Sequence, residues 1–118
     1  MTTSITLDLA KESTPIVIFA KQNDSARIIS ARIMQNGIDY LGGTGLTAVC
    51  RVVRANGTGM SINISNISTG RNTIVTVNLP AAALSIPGMA RAEISLTLNG
   101  STITTQSFYI NVRESVVS

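Results

Sequence analysis

The sequence predicts an all-β fold, a two-layer sandwich of seven to eight strands that fills residues 1–118 as one domain. Three observations lead there. Apolar and polar residues alternate with period two along most of the chain, the pattern of strands with one buried face. Asn-Gly dipeptides at 36–37, 56–57 and 99–100 punctuate those strands, and Asn-Gly readily takes the positive φ angles of tight hairpins. Only one segment breaks the rhythm, and it is too short for a full helix.

In chain order, Ile5, Leu7 and Leu9 alternate with Thr6 and Asp8. Pro15 interrupts, and Ile16 to Phe19 comes next, apolar on both parities. Ile29, Ala31 and Ile33 alternate with Ser30, Arg32 and Met34 up to Asn36-Gly37. Ala48, Cys50 and Val52 share one face, opposite Val49, Arg51 and Val53, and Asn56-Gly57 closes that strand. Met60, Ile62 and Ile64 share a parity before the loop Ser65 to Arg71. Val75, Val77 and Leu79 alternate with Thr76 and Asn78. The Ala-rich stretch from Pro80 to Gly88 is bracketed by prolines. Proline suits the first position of a helical turn and Pro-Gly stops one, so a single turn near 80–86 should cross between the sheets. The clearest strand runs from Arg91 to Leu98, and after Asn99-Gly100 the residues Phe108, Ile110 and Val112 finish the pattern. The inward set is therefore Leu7, Ile29, Ile33, Cys50, Val52, Val75, Val77, Ile94, Leu96, Phe108 and Ile110.

A chain of 118 residues buries roughly two thirds of its unfolded surface, enough to fold without a disulfide or a metal. Nine Lys and Arg stand against six Asp and Glu, a net charge of +3 with no run of neighbours. The four aromatics, Phe19, Tyr40, Phe108 and Tyr109, are too few to interleave with a basic patch. Nucleic-acid binding is not expected. The N-terminus lacks the basic and apolar regions of a signal peptide. No apolar run approaches the roughly 20 residues of a membrane span, so no membrane association is expected either. A lone Cys50 cannot make an internal bridge, which fits synthesis in a reducing cytoplasm.

Histidine is absent, which removes the commonest general base and metal ligand. The carboxylates Asp8, Glu12, Asp24, Asp39, Glu93 and Glu114 are not spaced as an acid–base pair. No enzymatic activity, cofactor or metal is therefore expected, and no residue is assigned to catalysis. Gly43-Thr44-Gly45-Leu46-Thr47-Ala48 matches a G-x-G-x-x-A string but precedes a β-branched strand, and no acid comes after it until Glu93. A dinucleotide site needs a helix there and an acidic residue about 20 positions on, so the string reads as a loop. Cys50 reads as a small core filler between Ala48 and Val52. The five Asn-x-Ser/Thr sequons, at Asn23, Asn56, Asn63, Asn66 and Asn99, are expected of a chain rich in those residues. Tyr40 and Tyr109 are the only aromatics with a polar tip, a thin basis for the alternative of a carbohydrate-binding or adhesin-type module.

Surplus apolar surface is the better clue. Met34, Val49 and Val53 sit where a solvated strand carries polar groups, and Ile16 to Phe19 has two apolar sides. Ile16, Ile18, Phe19 and Met34 are accordingly expected to form part of a protein contact.

Several stretches, in order, resemble the N-terminal immunoglobulin-like domain of phage upper baseplate proteins of the lactococcal siphophage type. They are Ile5 to Leu9, Ile16 to Asp24, and Asn36-Gly37-Ile38-Asp39-Tyr40-Leu41. Leu79-Pro80 leading to Ala83-Leu84-Ser85-Ile86-Pro87-Gly88 continues the series, and Ala92 to Leu96 and Thr105 to Val112 complete it. Two stretches depart from it: Gly42 to Gly45 is looser, and Leu46 to Arg54 lacks an aromatic. The resemblance implies an immunoglobulin-like sandwich, the N-terminal module of a longer baseplate or tail protein. It implies a virion location at the tail tip and docking onto a hub or onto sibling copies, as a homo-oligomer. It also implies that a region C-terminal to the domain supports receptor-binding proteins.

Overall fold

The computed structural model describes residues 2–9, 16–24, 27–43 and 45–114. The elements are β1 (Thr2–Asp8), β2 (Val17–Lys21), β3 (Arg27–Gln35), β4 (Ile38–Asp39), β5 (Thr47–Val53) and β6 (Gly59–Ile64). They continue with β7 (Asn66–Ser68), β8 (Thr73–Leu79), a 3₁₀ turn (Ala81–Leu84), β9 (Gly88–Leu98), β10 (Ser101–Thr104) and β11 (Phe108–Arg113). The fold is the predicted sandwich. One sheet has five strands in the order β1-β3-β8-β7, with β4 beside β3. The other has six in the order β2-β11-β9-β5-β6, with β10 beside β9.

Eight strands and the turn match the expected segments, while β4, β7 and β10 are additional. These three have two to four residues each, too few for alternation to reveal. Pro80 stands just before the 3₁₀ turn in an extended conformation, φ −71° and ψ 157°, and not within it. The expected break at Pro15 lies outside the described residues, as do Thr44, Lys11 and Glu12.

Most pairings are antiparallel, but β1 pairs with β3 and β2 with β11 in parallel. Parallel neighbours need a crossover. Between β1 and β3 the chain visits the opposite sheet as β2, which makes that crossover. β9 is the longest strand and carries two partners on one edge: β11 along Gly88–Ala92 and β10 along Ser95–Leu98. The gap between them falls at Thr105. Its N–H donates to Ile94 O at 2.8 Å, and its Oγ1 accepts the Ile94 N–H at 3.1 Å. A side chain thus replaces a missing rung of the ladder.

All eleven residues of the inferred inward set are 2% exposed or less. Phe108 is the largest fully buried side chain. Ala83 and Leu84 from the 3₁₀ turn close one end of the core. Carbonyls of that region are met by the Asn23 N–H on Leu84 O (3.0 Å), Gln22 Nε2 on Ser85 O (3.0 Å) and Arg54 Nη1 on Ala82 O (3.1 Å). Such partners spare a short turn its unsatisfied acceptors.

The hairpins show why the Asn-Gly signals worked. Asn36 and Gly37 have φ of 53° and 78°, and Asn99 and Gly100 have 52° and 81°, as a type I′ turn requires. At Asn56-Gly57 only the glycine is positive, and Gly57 N–H returns to Arg54 O at 2.8 Å, a longer loop. Gly42 answers a different need. A Cβ there would lie 2.8 Å from Leu46 Cδ2 and 3.0 Å from Thr73 Oγ1. Buried Thr73 uses that closeness, accepting the Gly42 N–H at 2.9 Å and donating to Tyr40 O at 2.8 Å.

Asp8 ties one end together. Its Oδ1 and Oδ2 accept the N–H groups of Asn36 (3.0 Å) and Gly37 (2.9 Å) at the β3–β4 turn. Its backbone exchanges hydrogen bonds with Gln106, just before β11 of the other sheet. One residue therefore joins strand β1, a hairpin and the opposite layer. Asp8→Ala removes two charge-assisted bonds at a cost of about 2 kcal/mol, so thermal melting should fall by roughly 8 °C. An unchanged melting temperature would remove Asp8 from this role.

Strand β2 settles the two-sided apolar run. Ile18 and Ala20 face the core at 4% and 3% exposure, while Val17 and Phe19 face outward at 40% and 54%. Placing a carboxylate in the apolar interior costs several kcal/mol. Ile18→Asp and Ile94→Asp should each abolish cooperative melting, whereas Phe19→Asp keeps it. Equal melting of all three would contradict the parity of β2.

Cys50 is fully buried, and burial, with Glu93 adding to it, pushes its thiol up to about 12. Only the thiolate reacts readily. A thiol reagent at pH 8 should therefore label Cys50 only after denaturant is added. Rapid labelling of the folded chain would show that the filler reading is wrong.

Candidate docking surface

The four residues expected to form one contact do not come together. Ile18 points into the core, which corrects its assignment as a surface residue: β2 alternates, and Ile18 takes the inward parity beside Ile110. Ile16 is half-buried and packs against the core from the start of β2. Met34 lies on the outer face of the five-stranded sheet, paired with Asp8 on one side and Asp39 on the other. Phe19 lies on the outer face of the six-stranded sheet, across the sandwich from Met34.

The two outer faces differ in chemistry. On the five-stranded sheet, rows such as Ser4–Ser30–Thr76–Asn66 are polar. Arg32 there binds Asp39 through two bonds, Nε to Oδ1 at 2.7 Å and Nη2 to Oδ2 at 2.6 Å. The guanidinium holds the Asp39 carboxyl below its usual range, and the carboxylate raises Arg32 in turn. This face is suited to water.

The outer face of the six-stranded sheet is not. Register sets Val17, Tyr109, Arg91 and Val53 in one row across four strands. The next row holds Phe19, Asn111 and Met89. Neighbouring strands lie about 4.8 Å apart, so these side chains form a continuous patch. Phe19, Met89, Val17 and Val53 are all exposed large hydrophobics. The Arg113 guanidinium sits over the Phe19 ring, 5.1 Å from its centroid. A cation over an aromatic face orients both groups and shields the ring.

Clustered aromatic, Met and Arg side chains mark the cores of protein interfaces. Val53 stands on the outward parity read from the sequence, and Phe19 comes from the run that the sequence leaves apolar on both parities. Met89 escapes a sequence reading because it lies directly after Pro87-Gly88 in the turn segment. Its signal is the parity of Ile94 and Ala92 carried further back, to the true start of β9. Ile38 and Leu41, exposed at 72% and 63%, lie elsewhere, on the β3–β4 hairpin and the loop after it.

Of the Gly43–Ala48 string, Leu46 N–H donates to Gly43 O at 3.2 Å and Thr47 and Ala48 already belong to β5, so the string leads into a strand and not a helix.

No curated protein sequence is significantly similar to the chain. Among solved structures, the chain is similar to the N-terminal domain of phage TP901-1 ORF48. The TM-score is 0.68 with 18% identity, over 96% of this chain and 99% of that one. That likeness establishes a shared fold. The family model described as the BppU N-terminal domain matches residues 1–118, and the chain belongs to that family.

Proposed function

We propose that this chain is a non-catalytic structural module of a phage tail baseplate. It docks onto a tail-tip hub or onto sibling copies and supports receptor-binding proteins, and it resides at the tail tip of the virion after synthesis in the host cytoplasm. The observation that carries the reading is membership of the BppU N-terminal domain family across residues 1–118. A fold alone hosts many roles, so the surface has to supply the rest.

Among the described residues, four of the exposed large hydrophobics share the outer face of the six-stranded sheet. Isolated exposed hydrophobics are ordinary, but a registered group of them around an aromatic is an interaction surface. Docking there needs no reacting group. Affinity comes from covering the exposed halves of the Phe19 and Met89 side chains, each worth about 1 kcal/mol.

The test is to purify tails from the parent phage and to co-express the chain with each tail-tip protein encoded beside it. The chain should be found in purified tails by mass spectrometry and should co-elute with at least one of those proteins. Its absence from tails, or selective binding on a glycan array in place of a tail protein, would overturn the reading in favour of a carbohydrate-binding module.

A further inference from the structure

The charges on the candidate surface say what kind of partner it takes. Lys21, Arg51, Arg91 and Arg113 all stand on the outward parity of the six-stranded sheet, exposed to solvent. Glu93 is the one carboxylate on that parity of β2, β11, β9 and β5. Among the described residues, none of the four cations forms a salt bridge; the two ion pairs are Arg27–Asp24 and Arg32–Asp39. Net positive charge on this face equals that of the whole chain, +3. The cations are not scattered in space, as they are in sequence. Lys21 and Arg113 flank the Phe19–Met89 row on one side, Arg91 stands between Tyr109 and Val53, and Arg51 lies one row beyond, opposite Glu93.

The described residues of a second copy do not complement such a face. Two copies related by a twofold axis on this surface would bring arginines toward arginines, and like charges across an interface are costly. No other described surface offers acids in exchange. Asp24 and Asp39 are engaged by arginines, and Asp8 holds the β3–β4 turn. Glu114 stands alone beside Arg113. Nucleic acid would match the charge, but the Phe19 ring already carries Arg113, which leaves Tyr109 alone for stacking, and Val17, Val53 and Met89 give bases nothing to stack on.

We infer that the outer face of the six-stranded sheet docks a different protein, one that presents an apolar patch bordered by carboxylates. This rests on the structural-module reading above and narrows it, favouring a hub-type partner over sibling copies for this face. Phe19 and Met89 fill the partner's apolar patch. Arg91 and Arg113 meet its acids, and Arg113 is already oriented by the Phe19 ring. Charge of this kind speeds association and sets partner choice, and its effect weakens with salt.

The experiment uses phage tails assembled with a photo-cross-linking phenylalanine analogue in place of Asn111, which lies between Phe19 and Met89. A parallel sample carries the analogue in place of Asn78, on the other sheet's outer face. The Asn111 sample should cross-link to one virion protein of different sequence, at an Asp/Glu-rich segment. The doubly substituted Arg91→Glu, Arg113→Glu chain should melt like the parent, because both side chains are exposed. It should enter tails about tenfold less well, a loss of about 1.4 kcal/mol. Cross-linking to a second copy or to nucleic acid overturns the inference. So does cross-linking from Asn78 alone, or parental incorporation of the doubly substituted chain. If the parent chain is itself missing from tails, the structural-module reading fails first. If it is present with the wrong neighbour, only the inference fails.

Discussion

Phe108, Ile110 and Ile94 from one sheet share a single apolar layer with Ile29, Ile33 and Val77 from the other. No disulfide or metal ligand set reinforces that layer among the described residues. Closing it dictates the parity of every strand, because a slip of one residue would turn a strand's apolar set to water. It also explains the path of the chain. β1 and β3 lie side by side in parallel only because β2 leaves for the edge of the opposite sheet. With Ile18 and Ala20 added to the core, β2 has only its other side, Val17 and Phe19, to present outward. The exposed patch is thus a consequence of how the sandwich closes, and its composition is what gives it a use.

Much of this architecture is legible in the sequence, since strand parity is a local property. The alternation at Ala92 to Leu98 and the positive-φ preference of Asn36-Gly37 each act over a few residues. The features that escape are non-local. Nothing near Asp8 announces that its carboxylate will hold a turn 28 and 29 residues away. Nor does Gly42 announce the approach of Thr73 and Leu46. The looseness of Gly42 to Gly45 seen in the sequence is, at Gly42, a steric requirement.

The docking surface is half legible for the same reason. Outward parity marks Val53, but parity does not say which sheet a strand joins. Met34 and Phe19 therefore look like neighbours in sequence and lie on opposite sides of the sandwich. Ile18 looks exposed because an edge strand apolar on both sides gives no clue to which side is covered. Charge is misleading along the chain: Lys21, Arg51, Arg91 and Arg113 are far apart in sequence and converge on one face through sheet register.

If this face is covered in the assembled virion, methionine oxidation will report it most directly. Met89 is half exposed at its centre, while Met60 and Met34, both more buried, serve as internal references. Sulfoxide formation by dilute peroxide, read by mass spectrometry, should be fast at Met89 in the isolated chain and strongly slowed in purified tails. The references should change little by comparison. Equal oxidation of Met89 in the free and assembled states would contradict the account.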